Sequence, residues 1–204
     1  MPKSSPFLQR VFLVRHGQTQ WSLSGQHTGR TDIPLTAKGE AEARTLHERL
    51  RVIVFKQVFS SPLQRARQTA GFAALATPVE IEPDLVEWDH GEYEGLQSAE
   101  IRAIKPDWNI YQHGCPGGES PDKVSARADR MIARLRTLEG DIAIFSHGHF
   151  GCVLAVRWIG LEIEQASHFL LDTASVSILG FGHHRATEPA IMLWNARPDA
   201  ASEP

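Results

Sequence analysis

The sequence has little of what marks a secreted, membrane-bound or disulfide-stabilised protein. Only two cysteines, Cys115 and Cys152, occur among 204 residues, and so few thiols form no disulfide framework and fit a reducing compartment. No stretch is apolar over the length that crosses a bilayer, and the polar residues 1–6 lack the apolar core of a secretion signal. We therefore expect a cytoplasmic location and no membrane partner.

An excess of positive charge is also lacking. The chain has 21 Lys and Arg against 24 Asp and Glu, a formal net charge of −3, whereas nucleic-acid-binding domains normally carry a basic excess. We therefore expect no nucleic-acid partner, and any anion site must be built from a few local cations.

Metal-binding motifs are absent from the sequence as well. The ten histidines are scattered, with no Cys-x-x-Cys or His-Glu-x-x-His pattern. Zinc at His147 and His149 is an alternative, but we expect the turn at Gly148 to point the two side chains apart. We therefore predict no metal and no cofactor.

The size and composition predict one globular domain. With 204 residues, of which 42% are hydrophobic, the chain can bury a single sizeable core. We place this domain at residues 7–196 and expect loose termini at residues 1–6 and 197–204. A homodimer is a possible assembly.

One apolar stretch near the N-terminus ends in residues that suit catalysis. Residues 11–14 are apolar and predict a buried strand, which stops at Arg15 and His16. In open α/β sheets ligands bind beyond the carboxyl ends of the strands, and Gly17 permits a tight turn there. An imidazole beside a guanidinium suits a nucleophile that attacks an anion.

The chain repeats this arrangement at a second strand. Residues 142–145 are apolar, and Ser146, His147 and Gly148 follow them before another predicted helix. If the two strands are parallel neighbours, His16 and His147 emerge at the same edge of the sheet.

Helix signals lie between these two strands. We predict a loop over residues 21–35 and a helix capped by Thr36. Ser61 and Gln64 form a predicted capping box that starts the next helix. Arg65 then falls in the first helical turn, where a cation and free backbone amides together bind an anion.

A later helix has the clearest periodicity in the chain. Ser120 is its predicted cap, Pro121 its first residue and Gly140 its end. The arginines at 127, 130, 134 and 136 are predicted to form a solvated face. Before this helix, the acidic segment 84–95 contains glycines and predicts a loop.

These motifs together resemble the histidine phosphatase superfamily, in the branch that contains cofactor-dependent phosphoglycerate mutase. The likeness extends over about residues 11–194, and the matches at 18–30, 87–95 and 108–115 are most similar to the sedoheptulose-1,7-bisphosphatase group and its bacterial relatives. The resemblance implies an α/β fold, a three-layer α/β/α sandwich with a mostly parallel six-stranded sheet.

The resemblance also implies a role for each matching residue. His16 would be the nucleophile that becomes phosphohistidine, and Glu87 would be the proton donor. The other catalytic residues would line the phosphate pocket, and they are Arg15, Arg65 and His147. The implied substrate-binding residues are Ser22, His27, Thr28, His90 and His183.

The residues and the resemblance predict a metal-independent phosphatase that hydrolyses a small phosphomonoester, with a sugar phosphate as the expected substrate. The alternatives are a phosphoglycerate mutase and, from another class, a non-catalytic phospholigand-binding module. Mutases carry Asn and Tyr where this chain has Ser22 and His90, which disfavours the mutase. Cys152 replaces an arginine that is usual in the sugar bisphosphatases, so a second phosphate loses an expected partner.

Overall fold

A six-stranded sheet forms the centre of the computed structural model, which describes residues 9–182 and 188–197. The strands are β1 (Arg10–Arg15), β2 (Phe55–Ser60), β3 (Val79–Ile81), β4 (Asp141–Ser146), β5 (Val176–Phe181) and β6 (Pro189–Ala196). They lie in the order β3-β2-β4-β1-β5-β6. The first four in this order run parallel, whereas β5 is antiparallel to β1 and β6 is antiparallel to β5. The prediction of a mostly parallel six-stranded sheet is confirmed.

Helices cover both faces of this sheet. They are α1 (Gln20–Ser24), α2 (Ala37–Leu50), α3 (Gln64–Ala73), α4 (Ser98–Ile104), α5 (Ile110–His113), α6 (Pro121–Leu135) and α7 (Gly148–Trp158). Buried side chains of α2 and α3 pack on one face, and those of α6 and α7 pack on the other. In the described part of the chain, every helix is too short or too polar to cross a bilayer.

The middle of strand β1, residues 11–14, is apolar because it is covered on both sides. Val11 and Leu13 belong to the core beneath α6 and α7, whereas Phe12 and Val14 belong to the core beneath α2 and α3. Successive side chains of a strand point to opposite faces, so a strand in the middle layer needs apolar residues at every position. The four-residue apolar run in the sequence has this cause.

The predicted start of α3 is wrong. The helix begins at Gln64, and its N-cap is Leu63, which makes no side-chain cap hydrogen bond. The hydroxyl of Ser61 instead lies 2.8 Å from Nε2 of His147. Ser61 therefore contributes to the site at the strand ends and does not cap the helix.

Two other predicted boundaries need correction. The segment predicted as a loop contains the short helix α1, which Thr19 and Ser22 begin with a reciprocal capping box. Helix α6 starts at Pro121 with Ser120 as its cap, as predicted, but it ends at Leu135. Gly140, with a φ of +76°, lies in the turn before β4 and does not end the helix.

Candidate active site

The ends of β1 and β4 bring two histidines together. The strands are parallel, and Arg15 pairs with Ser146 in their register. His16 and His147 therefore leave the sheet side by side, with ring centroids 5.2 Å apart. The predicted convergence of these two residues at one sheet edge is confirmed.

The ring of His16 is held in one orientation. Its Nδ1 lies 2.7 Å from the carbonyl oxygen of Gly17, so Nδ1 carries the hydrogen and Nε2 keeps its lone pair. Burial lowers the pKa of His16 well below 6.5, and the charges of Arg65 and Arg15 lower it further. His16 is therefore a neutral imidazole at physiological pH.

A close backbone contact fixes the turn after His16. A Cβ atom at Gly17 would overlap the carbonyl oxygen of Gly39, and one at Gly39 would overlap that of Gln18. The backbone N–H of Gly17 also donates to Oγ1 of Thr69 at 3.0 Å. Two glycines thus let the start of α2 pack directly on the turn that carries the histidine.

Arg65 is completely buried and binds the preceding loop. Its Nη1 donates to the carbonyl of Thr31 at 2.9 Å and its Nη2 to that of Gly29 at 2.8 Å. Its Nε donates to Nδ1 of His147 at 3.1 Å. Burial lowers the pKa of Arg65 to about 10, so the guanidinium still carries its charge at neutral pH.

His147 has both ring nitrogens engaged. Nδ1 accepts from Arg65, so Nε2 carries the hydrogen and donates to Ser61. Burial lowers the pKa of His147 well below 6.5, and the charge of Arg65 adds to this effect. Arg65 and His147 are thus packed against one another close to His16.

Arg15 presents an unsatisfied donor. Its Nη1 donates to the carbonyl of Leu171, whereas its Nε is buried and has no hydrogen-bond partner among the described residues. Buried donors are normally paired, so this N–H is suited to a ligand that accepts hydrogen bonds.

The carboxylate of Glu87, from the acidic loop, lies at the N-terminus of α7. Its Oε1 accepts from the backbone N–H groups of Trp88 and Phe150, both at 2.8 Å, and its Oε2 accepts from that of His149 at 3.1 Å. Burial raises the pKa of Glu87, but the electrostatic interaction with the neighbouring His149 ring, these N–H groups and the charge of Arg65 together lower it below its usual value. The carboxylate is therefore ionised at neutral pH in the unliganded protein.

Arg127 holds the segment that carries Glu87, and its prediction as a solvated residue is wrong. The guanidinium donates to both carboxylate oxygens of Glu119, at 3.1 and 2.8 Å, and to the carbonyl of Val86 at 2.6 Å. It also stacks over the ring of Phe150, with 4.3 Å from Cζ to the ring centroid. Arg127 thus joins α6 to the acidic loop.

A cavity of about 470 Å³ opens in front of these residues. Arg15, His16 and Glu87 form one part of its wall. Three of the predicted substrate-binding residues, Ser22, His27 and Thr28, also line it. The Ser22 hydroxyl is occupied in the capping box of α1.

Among the described residues, three other predicted site residues do not line this cavity. Arg65 and His147 are fully buried close to His16, and His90 is fully buried against His27 and His149. His183 lies outside the described residues.

Three histidines form a cluster that could hold a metal ion. His27, His90 and His149 each offer one ring nitrogen, and these nitrogens all lie within 4.8 Å of one another. The zinc alternative paired His149 with His147 instead, but His147 contacts Arg65 and Ser61. The two side chains do turn in different directions, as expected.

Comparison with known proteins assigns the family. Residues 11–197 match the family model of the histidine phosphatase superfamily (branch 1). The chain belongs to this superfamily. It is 41% identical over 178 residues to an acid phosphatase of Mycobacterium tuberculosis, covering 85% of this chain and 87% of that protein. It is 33% identical to the sedoheptulose 1,7-bisphosphatase of Saccharomyces cerevisiae, covering 95% of this chain and 94% of that protein.

Solved structures agree with this assignment. A structure of an open reading frame product from Mycobacterium tuberculosis superposes with a TM-score of 0.88 at 36% identity, covering 93% of this chain and 98% of that one. An Escherichia coli structure, described as a putative alpha-ribazole-5'-P phosphatase, gives a TM-score of 0.80 at 30% identity, covering 93% and 97%. Together with the phosphatase relatives, these matches make the chain a phosphoric monoester hydrolase of the histidine phosphatase type.

Several cavity residues of this histidine phosphatase were not predicted from the sequence. They include Arg102, Trp108, Tyr111, His149 and Phe169. They come from α4, the segment between α4 and α5, α5, α7 and the segment after α7. These parts meet only in the folded chain, so no spacing signal connects them. Arg127 did have a signal, because it stands three residues after Val124 and four before Met131, on the apolar stripe of α6.

Proposed function

We propose that the protein hydrolyses a small phosphomonoester, with a sugar phosphate as its substrate class, through a phosphohistidine on His16 and without a metal ion. The proposal rests on a neutral imidazole whose Nδ1 is anchored on a carbonyl, beside the unpaired Nε–H of Arg15 and in one cavity with Glu87. These groups supply a nucleophile, a cation and a proton carrier, which phosphoryl transfer requires.

In the first step, Nε2 of His16 attacks the phosphorus atom and the bond to the ester oxygen breaks. Arg15 and the charge of Arg65 stabilise the negative charge on the transferring group. The low pKa of His16 keeps its lone pair free, since burial and both arginines disfavour the imidazolium. Anchoring of Nδ1 leaves Nε2 as the attacking atom.

Glu87 carries the proton in this scheme. The carboxylate is ionised before substrate binds, yet the departing alkoxide needs a proton. A phosphomonoester loses its second proton near pH 6, by analogy with phosphorylated side chains, for which the pKa is about 6. The substrate monoanion thus brings a proton, and its charge raises the pKa of the neighbouring Glu87, which takes the proton and passes it to the leaving oxygen.

In the second step, water attacks the phosphohistidine. Glu87 accepts a proton from this water, the bond between nitrogen and phosphorus breaks, and Glu87 returns the proton to the departing inorganic phosphate, which leaves as the dihydrogen monoanion. His16 returns to its neutral form with its lone pair restored.

The remaining cavity wall suits a polyhydroxylated substrate of moderate size. Trp108 and Tyr111 provide aromatic surfaces, and Ser98 and Asn109 provide polar groups. A volume of about 470 Å³ lies within the range of about 300–1,000 Å³ that is usual for small-molecule pockets. The relative named as a sedoheptulose 1,7-bisphosphatase supports the sugar phosphate class, and the relative named as an acid phosphatase supports phosphatase activity in general.

Replacement of His16 tests the proposal. We expect His16→Ala to lose phosphate release from sugar monophosphates and bisphosphates, and mass spectrometry to find a phosphorylated His16 peptide in the wild type during turnover. His47→Ala is the control, because His47 contacts the carbonyl of Ala73 on α3 at 3.0 Å, away from the cavity. Undiminished turnover by His16→Ala would refute the mechanism.

The mutase remains the second candidate because a relative in Enterobacter, 33% identical over 84% of this chain and 85% of that protein, is a probable phosphoglycerate mutase. Measuring 2-phosphoglycerate formed from 3-phosphoglycerate, alongside phosphate release, separates the two activities. A non-catalytic binding module predicts neither product.

A further inference from the structure

Three histidines cluster at one side of the cavity and take no part in the steps proposed above. His27 and His149 line the cavity, and His90 lies behind them with no exposed surface. The ring centroids are 5.1 Å apart for His27 and His90, 5.2 Å for His90 and His149, and 5.5 Å for His27 and His149. Each ring thus contacts both others.

The nitrogen positions of this cluster fit a tetrahedral cation. Nε2 of His90 and Nδ1 of His149 are 3.3 Å apart. With zinc–nitrogen bonds of about 2.0–2.1 Å, neighbouring ligand nitrogens in a tetrahedron stand about 3.3–3.4 Å apart. The third nitrogen, from His27, lies within 4.8 Å of both others, so a side-chain shift of about 1.5 Å completes the set.

All three imidazoles are neutral and therefore have lone pairs available. Burial lowers the pKa of each ring, that of His27 to about 4. The ring of His90 has Nδ1 buried without a partner in the described residues, so its polar contact is the one between Nε2 and His149. A cation that replaces this shared hydrogen would bind both nitrogens at once.

The charges around the cluster partly offset one another. The carboxylate of Glu87 favours positive charge at His27 and at His149. Arg102 opposes positive charge at His27, Arg15 opposes it at His149, and Arg65 opposes it at His90. The ionised Glu87 is thus the anionic group that stabilises a cation at this position.

We propose that His27, His90 and His149 form a binding site for a borderline divalent transition-metal cation, with Zn²⁺ as the fitting ion, and that occupancy of this site inhibits the enzyme. Three imidazoles suit Zn²⁺ and exclude Mg²⁺ and Ca²⁺, which prefer oxygen ligands. The fourth coordination position faces the cavity, because two of the three ligands line it.

Inhibition follows from the place of the site, and this part of the proposal rests on the proposed phosphatase function. A bound cation occupies the wall that we expect the substrate to contact through His27.

Titration with the metal alone tests the site without any assay of turnover. We expect one Zn²⁺ per chain by calorimetry, and Co²⁺ substituted for it to give the intense visible absorption of a tetrahedral centre. His27→Gln and His149→Gln should each weaken Zn²⁺ binding by at least about tenfold, whereas His47→Gln should leave it unchanged. Binding that all three variants retain would overturn the site.

Wild-type measurements keep the test decisive if a variant fails to fold. We expect Zn²⁺ to raise the melting temperature and to inhibit hydrolysis of a phosphomonoester competitively, and EDTA to reverse both effects. Absence of binding to the wild type at about 100 µM Zn²⁺, where a Kd of 1 µM would raise stability by about 2.7 kcal/mol, overturns the site. Binding without inhibition overturns only the inhibitory role, and loss of turnover in the metal-free enzyme would count against the proposed function.

Discussion

Replacing Arg127 with methionine removes a buried cation that joins α6 to the loop carrying Glu87. The Arg127 side chain is 6% exposed, and its ion pair with Glu119 is 2.8 Å long. Removing one partner of a buried ion pair costs about 3–5 kcal/mol, because the other charge stays buried. For a chain of this length, each kcal/mol lost from the free energy of unfolding lowers the melting temperature by about 2–4 °C. Arg127→Met should therefore lower it by about 6–20 °C.

The surroundings of Glu119 place the expected decrease in melting temperature in the lower half of this temperature range. The backbone N–H of Asp89 still donates to Glu119 at 2.9 Å, and Arg30 lies 3.7 Å from the same oxygen. Glu119 therefore keeps partial compensation after the substitution, and the stacking of Arg127 on Phe150 is partly replaced by the methionine side chain.

Arg130→Met is the matched control on the same helix. The Arg130 side chain is 61% exposed, although its ion pair with Asp84 is 2.7 Å long. Exposed ion pairs contribute about 0–1 kcal/mol, so this variant should melt within about 4 °C of the wild type. Thermal unfolding followed by circular dichroism gives both values, and phosphomonoester hydrolysis at a temperature where both variants are folded should fall only in Arg127→Met. Equal melting temperatures for the two variants would refute our account of the buried cation.

Four further results are expected. Burial and the nearby arginines lower the pKa of His16, so kcat/KM should not decline as the pH is lowered from about 7 to about 5.5. A decline that begins near the usual histidine pKa of about 6.5 would show that the nucleophile titrates normally. Activity should survive excess EDTA, since the cations of the site are arginines; recovery that depends on added metal would contradict this. Gly39→Ala should lower both stability and turnover, since a Cβ there overlaps the backbone of the turn after β1, and a variant as active as the wild type would show that the contact gives way. Thr36→Ala, which removes the hydroxyl that accepts from the backbone N–H of Gly39 at 3.0 Å, should cost about 1 kcal/mol in denaturant unfolding with little effect on kcat.

The strand ends could be predicted from the sequence because the signal there is local. Four apolar residues followed by Arg15 and His16, and four more followed by His147, leave few alternatives to buried strands with polar exits. Parallel pairing of the two strands was a hypothesis, and the register of β1 with β4 confirms it. The domain limits at residues 7 and 196 and the cytoplasmic location stay predictions.

Features that depend on distant contacts were not predictable in the same way. Ser61 has the residue type and spacing of a helix cap, but His147, 86 residues away along the chain, is its partner. Arg127 was predicted to lie at the surface because it is charged, although its spacing places it on the buried stripe of α6. Its ion-pair partner, Glu119, belongs to the preceding loop, and the sequence does not indicate this contact. The cluster of His27, His90 and His149 joins three segments whose proximity has no sequence signal.

The place of β4 in the sheet has a consequence for synthesis of the protein. Both neighbours of β1 in the sheet, β4 and β5, follow it by more than a hundred residues. As the ribosome releases the chain from its N-terminus, β1 emerges early as an unpaired, strongly apolar strand, and such segments are prone to aggregate. A nascent chain that ends before Asp141 has neither partner strand. We therefore expect chaperones to bind β1 until translation is nearly finished.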